Sequence, residues 1–163
     1  MSSMRHRSPR SRSISGLAAL EFALLLPFFA LLLAFMIDAG GAISARTQVQ
    51  NAAQAGARYA QVYGWNATAI AAAVTSASSL ANISALPAAQ LLCGCPTGSA
   101  ITFLALNCTT AVPANTYCAG VTPAEKPGRY IVVGAQYSYS APLAFAVWPS
   151  VQVLTATATT RLD

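Results

Sequence analysis

The sequence predicts an α+β chain: one membrane-length N-terminal helix that runs on into a second helical stretch, then a small antiparallel β-sheet. Three observations predict it. From Ile14 to Ile37 every side chain is apolar or small and uncharged, apart from Glu21. Beyond that run, small and apolar residues recur at spacings of three and four as far as Tyr63, the period of one helical stripe. Alternating segments rich in valine, tyrosine and threonine come last, at 129–140 and 150–161.

The elements follow in chain order. Residues 1–16 form a basic leader carrying Arg5, Arg7, Arg10 and Arg12. Arginines on that flank hold the N-terminus in the cytoplasm and send the C-terminal bulk across. Leu17 to Ile37 spans about 31 Å as a helix, matching a hydrocarbon core of about 30 Å. We take 17–41 as the transmembrane helix, with Gly40 and Gly41 weakening it at the exit. Pro27 removes one internal hydrogen bond, so a kink is expected there, which membrane helices tolerate. An ordinary secretory signal has an apolar core of roughly 7–15 residues and a small-residue cleavage site. This run is longer, carries Glu21, and is followed only by imperfect sites near Ala42 and Ala45.

Residues 42–163 form the exported domain. Ala42, Ala45, Val49, Ala52, Gly56, Tyr59 and Tyr63 make the apolar stripe of its first helix, small enough to pack closely on the sheet. Gly64 interrupts, and a second alanine-rich helix runs from Ala67 to about Ala81, closing near Pro87. Proline, glycine, threonine and cysteine then dominate 88–127, which reads as a disulfide-stapled loop with one short strand at Ile101–Leu106. Four cysteines in an exported domain imply two bridges. Cys93 and Cys95 are too close to pair comfortably with each other, so each reaches Cys108 or Cys118, leaving two pairings open. The acceptor-like triplets at Asn66, Asn82 and Asn107 read as turn and cap residues. Lys126-Pro127-Gly128 turns the chain into the strand Arg129–Ser140, and a last strand, Ser150–Arg161, pairs antiparallel with it.

The formal charge of +5 does not imply a nucleic-acid partner. Without the leader, five basic side chains face four acidic ones, and a nearly neutral chain has little pull on a polyanion. Nor does the inventory support catalysis. The single histidine, His6, lies in the leader, which leaves no imidazole base for a serine or cysteine nucleophile further on. Past Ile37 the acids are Asp38, Glu125 and Asp163 and the only lysine is Lys126, too sparse for paired carboxylates. C-x-C spacing without histidine is poor for zinc. We assign no catalytic residue, no metal and no cofactor.

A charge at the centre of a membrane helix costs roughly 2.5–3.5 kcal/mol on insertion scales, so Glu21 calls for a partner. Gly16, then Leu17-Ala18-Ala19-Leu20-Glu21-Phe22-Ala23 and a downstream Pro27, resembles the prepilin signal of bacterial type IV pilins. It most resembles the TadE/TadG-like pseudopilins of tight-adherence (Flp) pilus systems, and the short single-domain length is closer to the TadE-like members. The resemblance implies cleavage between Gly16 and Leu17 by a prepilin peptidase, with Glu21, Phe22 and Pro27 as the processing and assembly motif. It also implies a non-enzymatic minor subunit in the inner membrane, whose partners are other pilin and pseudopilin subunits, the inner-membrane assembly platform and lipid. The cut would leave an ammonium at Leu17 that answers the carboxylate of a neighbour's Glu21. The alternatives are an uncleaved bitopic envelope protein and a secreted, disulfide-bonded binding domain.

Overall fold

The computed structural model describes residues 15–97, 100–108, 117–119, 125–142 and 151–162. Two helices precede four strands: α1 (Ser15–Tyr63), α2 (Ala67–Ser76), β1 (Gln90–Thr97), β2 (Ala100–Asn107), β3 (Gly128–Ser140) and β4 (Val151–Arg161). The fold is α+β, as the sequence predicts. The chain divides into two compact units between Ile37 and Asp38.

The first unit contains the apolar N-terminal part of α1. Its large side chains from Leu20 to Ile37 are exposed, and Pro27 sits inside the helix. α1 is long and apolar enough to cross a membrane, with a mean hydropathy of 2.5 over its most apolar window.

The second unit is a helix-on-sheet layer. The strands lie in the order β2-β1-β3-β4, and every neighbouring pair is antiparallel. β4 pairs with β3 along its whole length, from Arg161 opposite Tyr130 to Val151 opposite Ser140. The core joins Val49, Ala52, Ala53, Ala57 and Ala60 of α1, Ile70 and Val74 of α2, and Leu91, Ile131, Val133 and Ala135 of the sheet. Gly56 lets the two layers meet: a Cβ there would stand 2.6 Å from a Val74 methyl and 2.8 Å from one of Val133.

The buried stripe of α1 departs from the sequence reading at its far end. Ala45, Val49, Ala52 and Gly56 are buried, but the stripe then shifts by one residue to Ala57 and Ala60. Tyr59 is half-buried and Tyr63 is 72% exposed, their rings in contact at 4.7 Å. Close approach of α2 favours alanine over tyrosine on the facing side.

Gly64, at φ +81°, ends α1 in the left-handed region and donates its N–H to the Ala60 carbonyl at 2.9 Å. Asn66 then caps α2, its side-chain oxygen accepting from the Ala69 N–H at 3.1 Å, and Asn82 takes a left-handed turn conformation. α2 ends at Ser76, five residues before the expected Ala81. The run of serines accounts for this. The Ser78 hydroxyl accepts from the Leu80 N–H, and Ser79 donates to Gln48 of α1, so side chains replace the helical ladder.

The segment 88–127 is not simply a stapled loop. It carries the β1–β2 hairpin, and β2 is longer than the expected 101–106 strand. Valine and isoleucine are scarce in Gln90–Thr97, and its glycine, proline and cysteines hid the strand.

Candidate functional site

The residues singled out in the sequence fall into two groups that lie in different units. Gly16 and Leu17 occupy the first turn of α1. Glu21 is one helical turn further, about 6 Å along the axis from Leu17 at 1.5 Å per residue. Glu21 is exposed, as is Phe22, and among the described residues Glu21 has no ion-pair partner. Around it Leu20, Leu24, Leu25, Phe28 and Phe29 are each more than half exposed. The result is a single carboxylate on the stretch of α1 from Ala18 to Ile37, whose other side chains are apolar. The leader arginines and His6 lie outside the described residues.

All four cysteines are paired. Cys93 joins Cys108 and Cys95 joins Cys118, with Cα separations of 5.5 and 5.6 Å. This selects one of the two pairings the spacing left open. Cys93 and Cys95 stand two residues apart on one face of β1, and each bridges to a different stretch of the following chain. The first bridge ties β1 to the end of β2. The second tethers the segment near Cys118, whose N–H donates to the Glu125 carbonyl at 2.8 Å.

Two features were not legible as sites. Tyr139, read in the sequence only as part of an alternating strand, donates its hydroxyl to the Asp38 carbonyl of α1 at 3.1 Å. Gly41 makes room for it, since a Cβ there would lie 2.5 Å from the hydroxyl oxygen. Burial raises the Tyr139 pKa above its ordinary value, aided by the charges of Asp38 and Tyr137. The glycine expected only to weaken the helix therefore admits an anchor.

On the sheet face opposite α1, Tyr130 packs edge-on to Phe103 of β2 at 6.3 Å and lies under the Arg161 guanidinium of β4 at 6.0 Å. It covers Gly94 and Gly128, where a Cβ would come within 3.0–3.1 Å of its ring. These three side chains bind β2, β3 and β4 together across the glycines of β1 and β3. Among the described residues no cluster of three or more His, Cys, Asp or Glu side chains is placed to hold a metal. A shallow cleft of about 250 Å³ opens between α1 and the C-terminal half of β4.

The family described as TadE-like protein matches residues 16–58, starting at Gly16 and running through Glu21, Pro27 and most of the buried stripe of α1. No curated protein and no solved structure matches the chain.

Proposed function

We infer that this chain, TadE-like over residues 16–58, is a pseudopilin-like component associated with a Tad pilus. Members of that family are structural pilus components, and association with other pilus components follows in general terms. Our reading goes further. A prepilin peptidase removes residues 1–16, leaving Leu17 as the new N-terminus. The apolar part of α1 then stays in the inner membrane until it packs among the helices of other pilin and pseudopilin subunits, engaged by the inner-membrane assembly platform. The C-terminal unit lies on the periplasmic side. The role is non-enzymatic, helping to start or regulate a surface filament used in adhesion.

The observation that carries this reading is Glu21, the fifth residue after the cut and a lone carboxylate on an exposed apolar helix. Alone in lipid it costs free energy. Beside the ammonium of a neighbour's Leu17 it becomes half of a neutral pair, and one such pair per contact also fixes the register of the helices, as a single polar residue does in an apolar bundle. Glu21→Ala is expected to insert into the membrane as well as or better than the native chain, while surface piliation falls. Membrane fractionation and filament counts on the same cells test this, and normal piliation would remove the role of the acid. Gly16→Asp is expected to block maturation, seen as a larger species on a denaturing gel. Unchanged mobility would contradict the cleavage site.

A further inference from the structure

β4 is an edge strand, paired only with β3 among the described residues. Its register with β3 is unbroken over the whole strand, whereas the β1–β2 pairing carries a shift at Leu92/Cys93. From Val151 to Thr160 it has no charge, proline or glycine. Soluble proteins usually blunt such an edge with charges, proline or a bulge, because its outward N–H and C=O groups pair readily with another strand. Among the described residues β4 has none of these devices before Arg161 at its last position.

The chemistry of the cleft says what kind of strand would fit. Gln54, Arg58 and Gln61 lie on one ridge of α1 and overhang Ala158 and Thr160 of β4. Arg58 is exposed, and among the described residues it has no ion-pair partner. The Thr160 hydroxyl is buried, the residue 6% exposed, and it lacks a hydrogen-bond partner. The site thus combines a backbone edge with no partner among the described residues, one cation, two amides and an unsatisfied hydroxyl on the helix side. A second copy of this chain is a poor occupant. Antiparallel self-pairing along the whole of β4 would set the Ala158–Thr160 end of one copy opposite the Val151–Leu154 end of the other, a stretch that offers no carboxylate to Arg58.

We propose that the β4 edge is a strand-addition site for an extended segment of a different protein, bearing a carboxylate on the side that faces Arg58. Main-chain hydrogen bonds to β4 supply the binding, and the alternate side chains under Gln54, Arg58 and Gln61 supply the selectivity. The inference is independent of the pilus reading, since it uses only the second unit.

The test uses the full chain in detergent micelles and synthetic peptides of alternating threonine and valine with a central glutamate or a central lysine. A third peptide is the glutamate form N-methylated at every backbone amide, which removes its donors without touching the protein. The glutamate peptide is expected to bind at concentrations below about 1 mM. The lysine peptide is expected to bind about tenfold more weakly, the N-methylated one not at all, and Arg58→Glu to reverse the preference of the first two. Absence of binding by the glutamate peptide, or equal binding of the N-methylated form, would overturn strand addition. Equal affinity for glutamate and lysine peptides would overturn the part given to Arg58. Dimerisation of the chain in sedimentation that the glutamate peptide competes away would replace the foreign partner with a second copy.

Discussion

At the scale of single residues, Tyr139 and Gly56 each give a direct test of the packing. The Tyr139 hydroxyl donates to the Asp38 carbonyl only while protonated. Its pKa is raised in the fold, so the unfolded chain loses its proton first as pH rises through about 10. Stability from this group is therefore complete below that pH and declines above it, until the folded form also ionises. Tyr139→Phe is expected to cost about 0.5–1.5 kcal/mol at neutral pH and to flatten that alkaline decline. Thermal melts of both proteins across pH 8–11 check it, and parallel declines would exclude Tyr139 as the cause. Gly56 makes the opposite argument, from space. Valine there gains some helix propensity but drives methyl groups into Val74 and Val133. Overpacking outweighs the gain, and we expect a loss of about 1–3 kcal/mol in urea unfolding. A neutral result would mean that α1 sits further from the sheet.

At the scale of elements, legibility followed the strength of local patterning. α1 was readable because its apolar run and its small-residue stripe are long and periodic. The β3–β4 hairpin was readable because Tyr137 and Tyr139 alternate with polar residues and the last strand alternates valine and threonine with smaller side chains. β1 was not. Cys93, Gly94, Cys95 and Pro96 carry the composition of a loop, and they form a strand because the neighbouring strands and two bridges hold them. The end of α2 was missed for a related reason: alanines favour helix, but Ser78 and Ser79 donate to the Gln48 side chain of α1. The disulfides stiffen the region where hydrophobic patterning is weakest. The Cys93–Cys108 bridge closes a 15-residue separation, for which loop entropy gives about 3 kcal/mol. Replacing both cysteines by alanine is expected to lower the melting temperature, and an unchanged one would mean that β1 and β2 hold without the staple.

At the scale of the whole molecule, two kinds of surface coexist in one chain. From Ala18 to Ile37 the exposed side chains are apolar, mainly leucine, phenylalanine and alanine, with one acid among them. From Asp38 onward a small helix-on-sheet unit buries its own core of alanine, valine and isoleucine. Sequence reading reached the first because membrane helices write themselves in composition, and Glu21 stands out against it. It reached the architecture of the second but not the contacts that lock it, since Gly41 with Tyr139 and Tyr130 with Gly94 are close only after folding. The pilus reading rests on what the first kind of surface meets. An apolar helix with a single carboxylate is costly alone and stable beside a neighbour that offers a cation at the right depth.

That cation exists only if the chain is cut, so the mature N-terminus is the decisive measurement. Edman sequencing or intact mass of the protein extracted from membranes is expected to place Leu17 first. A chain that still begins at Met1, or one that starts near Ile43–Arg46, would contradict the account and leave a tethered or a released domain in its place.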